Sequence, residues 1–287
     1  MKAIITAMAL VSGCIQQGNV STQDTDMPSS KVRFVCVGME HSSRFGDCPG
    51  CKSDATRIYK LLNDSLKYSG SLLISEQATK AAVVNKLKEC VAATPDDGLC
   101  MFLYSGHGGQ EYLGGDEPEG ADDQDEYLCL YDSHMLDDEI WDIVSKCKGR
   151  VFLYFDACHS ATMYRSVRSE IVKGAAKTKA KALAWDSADM TRSSGFTFNP
   201  KVKARPMSLE ASGPSILCWS GCKEAEYSYG SSFGGTLTNA MLDNWKKGLS
   251  YDALWGKTYN SVKKDRPDQT PVQTCIGGFP KDREAFK

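Results

Sequence analysis

Apolar residues along this chain fall into short unbroken runs, and between the runs lie stretches with helical spacing. "KVRFVCVG" (31–38), "SLLIS" (71–75), "GLCMFLYS" (98–105), "YLCLYD" (127–132), "RVFLYFDA" (150–157) and "SILCWSG" (215–221) each read as a strand. They are short, β-branched or aromatic, and bounded by glycine or polar residues. "QTPVQTCIGG" (269–278) adds a last short strand. "SDATRIYKLLND" (53–64) has Ala55, Ile58, Leu61 and Leu62 on one helical face. Residues 79–93, 234–247 and 250–264 also read as helices. So does 136–147, with acids in its first turn, where the helix dipole favours them.

Continuous apolar strands alternating with amphipathic helices predict an α/β fold with a mostly parallel sheet, buried on both faces. Chemistry in such sheets gathers at the carboxyl ends of the strands. The pattern breaks after residue 160. Residues 161–212 contain no strand pattern, and they carry Arg165, Arg168, Lys173, Lys177, Lys179, Lys181, Arg192, Lys201, Lys203 and Arg205 against four acids. A segment this long inside a domain is a functional or a disordered insertion.

The N-terminus stands apart. "MKAIITAMALVSGC" is an apolar stretch ending at Ser-Gly-Cys, followed by a polar tract up to residue 30. Two readings stay open. It is a short lipoprotein signal with Cys14 lipidated, which puts the protein at the cell envelope and gives its only membrane link. Or it is a polar tail with an accidental apolar start on a cytoplasmic protein. Residues 1–30 are therefore set apart from a single domain over 31–287.

The net charge is -2, so no global field draws the chain to nucleic acid. Of 12 cysteines, Cys36, Cys100, Cys129 and Cys218 lie inside strand runs and read as core. Cys48 and Cys51 make one C-x-x-C, with no second pair at zinc-site spacing.

Two of the strands run straight into reactive side chains. "FLYSGHGGQ" delivers His107 and "VFLYFDACHSA" delivers Cys158. A thiolate attacks carbonyl carbon, and a nearby histidine can take its proton and later protonate the leaving amine. A lone cysteine in an apolar run is more often core, and a histidine among glycines is often only a turn residue. Their joint occurrence at the ends of two similar strands points to a catalytic pair. Gly108 and the N–H of Cys158 are the candidates for an oxyanion hole.

"YSGHGGQ" with "DACHSA" resembles the metacaspases, caspase-like cysteine peptidases, here of a type I-like, bacterial kind. "GCKSDA" (50–55), "SGCKEAEYSYG" (220–230) and "GGTLTNA" (234–240) are similar to further segments of that family. The resemblance implies a caspase-like three-layer sandwich that acts as a monomer, with His107 as general base and Cys158 as nucleophile. It implies cleavage of protein or peptide substrates after Arg or Lys, in a pocket lined by Asp54, Ser105 and Asp156. Asp156 precedes Cys158 by two and so shares its strand face. Two carboxylates would pair with a guanidinium and reject an acidic side chain.

The resemblance also implies calcium, held by Asp125, Asp137 and Asp138, and no organic cofactor. A fourth ligand position of the family is Arg165 here, a departure that puts calcium dependence in question. Taken as residues alone, the acidic run 116–127 is a solvated loop without an EF-hand pattern. The basic segment 161–212 offers bonds such an enzyme would cut, with Lys173, Lys177, Lys179 and Lys181 as autoprocessing candidates. Two alternatives remain: a clostripain- or legumain-like peptidase of the same clan, and a catalytically silent caspase-like binding module.

Overall fold

The computed structural model describes residues 28–112, 124–159, 190–194, 214–223 and 226–287; for 110–112, 124–125, 158–159 and 190–194 it describes the backbone alone. The strand β1 (Val32–Gly38) is followed by α1 (Cys51–Tyr59), which continues as a wider turn over Lys60–Ser65. Then come β2 (Ser69–Ile74), α2 (Lys80–Ala93) and β3 (Leu99–Tyr112). β4 (Gln124–Cys129) and β5 (His134–Leu136) lead into α3 (Asp137–Val144) and β6 (Arg150–His159). β7 (Met190–Ser194), β8 (Ile216–Ser220), β9 (Tyr227–Ser231) and β10 (Gly234–Gly235) precede α4 (Thr236–Asn244). α5 (Tyr251–Asp265) and β11 (Val272–Ile276) close the chain.

The main sheet runs β11-β8-β6-β3-β1-β2, with β4 and β5 attached to β3. β2, β1, β3, β6 and β8 are parallel, and β11 is antiparallel to β8. The mostly parallel sheet expected from the apolar runs is therefore present.

Strand alternation sorts the core into two faces. Val35, Phe102, Leu153 and Cys218 turn to one side and pack with Val83 and Leu87 of α2 and Ile140 and Val144 of α3. Phe34, Met101, Phe152 and Trp219 turn to the other and pack with Ile58 of α1, Met241 of α4 and Leu254 of α5. This gives the three-layer sandwich. On the second face an aromatic group forms: Phe152 meets Trp219 edge-on with centroids 5.2 Å apart, and Tyr251 meets Phe286 at 6.0 Å. Each such pair adds about 0.5–1.5 kcal/mol to area burial.

Three expectations change. β3 does not stop at Ser105 but runs to Tyr112, because Gly108 to Tyr112 pair antiparallel with β4. β6 likewise runs through Cys158 to His159. Neither His107 nor Cys158 therefore follows a strand; each sits within an extension that projects beyond β1. The segment read as strandless contains β7, which pairs with β9 in a second sheet of order β10-β9-β7. The rest of 161–212, together with residues 1–27, lies outside the described residues.

Candidate active site

β3 and β6 are parallel neighbours in the middle of the sheet, and their register is the frame of the site. His107 stands across from Cys158, and Ser105 across from Asp156. Neighbouring strands lie about 4.8 Å apart, so each pair is brought to side-chain range by backbone alone.

The His107 ring is fixed by a backbone group that no sequence motif marks. Its Nε2 lies 3.0 Å from the backbone carbonyl of Asp47, in the loop between β1 and α1. A carbonyl can only accept, so Nε2 carries the proton and donates it. In the neutral imidazole, Nδ1 is then the basic nitrogen. The backbone of His107 is held as well: the Tyr104 hydroxyl lies 2.7 Å from the His107 carbonyl and 2.6 Å from that of Cys129. A Cβ on Gly106 would stand 2.3 Å from the Tyr104 oxygen, so glycine lets the strand pass this hydroxyl. Gly108 is buried, in ladders to both β4 and β6.

The three predicted pocket residues come together. Asp54 and Asp156 are fully buried and Ser105 nearly so. Ser105 Oγ donates to Asp54 Oδ2 at 2.7 Å. The structure also shows partners that sequence reasoning missed. Gly235 N–H donates to Asp54 at 2.9 Å, and Arg57 Nη2 donates to Asp54 Oδ1 at 3.0 Å and to Asn239 Oδ1 at 2.6 Å. Asp156 accepts from Thr238 N–H at 2.9 Å, Thr238 Oγ1 at 2.7 Å and Ser228 Oγ at 3.2 Å. Gln269 Nε2 in turn donates to Ser228 Oγ at 3.2 Å and to the Gly221 carbonyl at 2.8 Å. Both carboxylates therefore sit at the N-terminus of α4, where the macrodipole favours negative charge. Asp156 anchors that helix to the end of β6, and Asp54 anchors it to α1. "GGTLTNA" carries the two donating backbone groups, but nothing in its residue types announces an acid some 80 to 180 positions away.

The calcium residues implied by the resemblance fall at one edge. Asp137 and Asp138 open α3, with Asp138 N–H donating to Asp137 Oδ1 at 2.9 Å. Asp125 is in β4, whose Tyr127 pairs with Leu136 just before α3; its side chain, and all of Arg165, lie outside the description. Among the described residues no group of three or more His, Cys, Asp or Glu side chains is gathered for a metal. Nor is any described helix long and apolar enough to cross a membrane.

The caspase domain profile matches residues 34–277. The chain belongs to the caspase-domain family of peptidases. Curated relatives include fungal metacaspases. Metacaspase-1A of Aspergillus fumigatus is 28% identical over 250 residues, covering 74% of this chain and 60% of the relative. Metacaspase-1 of Cryptococcus neoformans is 25% identical over 258 residues, covering 74% and 55%. Metacaspase-1 of Pyricularia oryzae is 26% identical over 271 residues, covering 82% and 67%. The chain thus spans little more than half the length of several of these proteins. The crystal structure of protein GSU0716 from Geobacter sulfurreducens superposes with a TM-score of 0.66 at 24% identity, over 90% of this chain and 98% of that one. That likeness bears out the fold. The domain of this chain is that of a cysteine-type peptidase, and its resemblance to metacaspases holds over most of its length.

Proposed function

We propose that this caspase-domain chain is an active cysteine endopeptidase of metacaspase type that cleaves after Arg or Lys. The observation that carries the reading is the β3–β6 register. It sets His107 opposite Cys158 and, two residues earlier, Ser105 opposite Asp156. In this mechanism His107 Nδ1 takes the proton of the Cys158 thiol, and the sulfur attacks the scissile carbonyl. The N–H groups of Gly108 and Cys158 receive the oxyanion. His107 then gives the proton to the leaving amine. Water, deprotonated by His107, opens the thioester and releases the acid product, and the thiol is restored. The bond to Asp47 keeps the ring in the tautomer this requires.

Specificity rests on charge. Asp54 and Asp156 with Arg57 leave one net negative charge, which suits a guanidinium or ammonium and repels a carboxylate. Burial strengthens that discrimination, because screening by solvent is weak there. Calcium is proposed at Asp125, Asp137 and Asp138, whose hard carboxylate oxygens fit the ion. Bound there, it would supply positive charge that draws these carboxylates together at the β4–α3 edge. Self-cleavage is proposed within 161–212, and the enzyme acts on protein substrates as a monomer.

A peptide chloromethyl ketone ending in arginine tests the reading. It should alkylate Cys158, with labelling lost in Cys158→Ala and slowed strongly in His107→Ala. Equal labelling by an aspartyl analogue would contradict the pocket. No labelling by either would leave a silent binding module.

A further inference from the structure

The turn Cys48-Pro49-Gly50-Cys51 has no part in the chemistry above, yet it touches the site from both ends. Cys51 Sγ donates to Cys48 Sγ at 2.9 Å, and both residues are thiols, 0% and 1% exposed. Cys51 N–H donates to the Cys48 carbonyl at 3.3 Å, so the turn is already closed. Such a turn brings its end Cα atoms within about 7 Å, the range a disulfide spans. Gly50 holds it with φ 89, and a Cβ there would stand 2.1 Å from the Ser231 carbonyl. Cys51 is the first residue of α1, at the end of the helix where the dipole favours negative charge.

The residue before Cys48 is Asp47, whose carbonyl receives His107 Nε2. The residue one turn after Cys51 is Asp54. The loop is tied at its far side by Ser43 Oγ, which donates to the Tyr131 carbonyl at 2.8 Å, and by His41 N–H, which donates to Ser75 Oγ at 3.1 Å. Cys48 N–H donates to the Glu40 carbonyl at 2.8 Å, and Lys52 N–H donates to Glu40 Oε2 at 3.2 Å. His41 pairs with Asp47 at 3.0 Å with both side chains more than half exposed, a contact of small value. A second close thiol pair, Cys90 and Cys100 at 3.1 Å, stands away from the site. Hydrogen bonds from Cys147 and Cys90, then burial, push the Cys100 thiol well up and hold it protonated.

We propose that Cys48 and Cys51 are a redox-active pair, whose reversible disulfide clamps the loop carrying the Asp47 carbonyl onto α1. It takes its place in the site from the peptidase reading, but its formation does not depend on turnover. The oxidant is a small peroxide, which suits buried sulfurs. The Cys48 thiolate attacks one peroxide oxygen, the O–O bond breaks, and hydroxide leaves to become water with the thiol's proton. The Cys51 sulfur then attacks the Cys48 sulfur and breaks the S–O bond. The hydroxide released takes the Cys51 proton. Two thiols and one hydrogen peroxide thus give one disulfide and two waters. A dithiol returns the two electrons by exchange.

The test uses the full chain as Cys158→Ala, so that the nucleophile does not compete. Both cysteines fall on one tryptic fragment, residues 45–52. After hydrogen peroxide and alkylation, that fragment should be two hydrogens lighter and unalkylated. After dithiothreitol it should be alkylated twice. The oxidised protein should melt roughly 2–6 °C above the reduced one. That gain should vanish in protein that also carries Cys48→Ser and Cys51→Ser. Double alkylation of the fragment after peroxide, overoxidation without pairing, or pairing with no rise in melting temperature would each overturn the proposal. No readout requires hydrolysis, so a failure of the peptidase reading would show separately, in the labelling of Cys158.

Discussion

Asp47 contributes to the site through its backbone, while its side chain has a separate effect on His41. The carboxylate accepts from His41, and this hydrogen bond raises the His41 pKa above 6.5. The sign follows from linkage. The contribution to stability is fully present below pH 6.5 and is lost as pH rises through the raised value. An NMR titration should show His41 above its ordinary pKa, and Asp47→Asn should return it toward 6.5. Because Asn keeps the carbonyl, kcat in that variant should stay within about twofold of wild type. A large fall in kcat would move the effect from backbone to side chain. Asp156 is the opposite case, a side chain with three internal donors. Asp156→Ala should abolish cleavage after Arg and cost about 2–3 kcal/mol in urea unfolding, because buried donors lose their acceptor. Asp156 was legible through the resemblance, which matches the residue two before Cys158 to the family's pocket. The sequence could not show Thr238 and Ser228, which reach Asp156 only once the chain has folded.

At the scale of elements, unbroken apolar runs were enough to read β1, β3, β6 and β8, since a strand covered on both faces has no polar alternation. The same logic explains what was missed. The stretch Gly106 to Tyr112 has no aliphatic residue, and its extended form comes from pairing with β6 and then with β4. β7 sits in a basic segment, and its partner is the short β9 rather than the main sheet. Neither pairing leaves a hydrophobic period. The β3 extension is also where a small change should do most harm. Gly106→Ala drives a methyl into Tyr104 and should cost about 1–3 kcal/mol while lowering kcat more than it raises KM. Tyr104→Phe removes a hydroxyl shared between two carbonyls. It should cost about 1 kcal/mol, measured by thermal or urea unfolding. If Gly106→Ala leaves both stability and kcat intact, the strand has room that the geometry denies it.

Across the whole molecule, the sheet divides labour between its faces. One face packs an apolar core against α2 and α3. The other carries Trp219 and its aromatic neighbours at the centre and turns polar toward the strand ends, where Asp54, Ser105 and Asp156 lie against α1 and α4. Trp219→Ala should cost about 3–5 kcal/mol and shift the urea midpoint down, with activity lost only as the fold is lost. If the strand ends form a peptidase site selective for basic residues, peptide hydrolysis will report it. Fluorogenic peptides ending in Arg, Lys, Asp and Asn would be offered to the wild type and to Cys158→Ala, in calcium and in chelator. Hydrolysis is expected after Arg and Lys, with none after Asp or Asn, dependence on calcium, and none at all in Cys158→Ala. Cleavage after Asp or Asn, or cleavage that survives loss of Cys158, would contradict such a site.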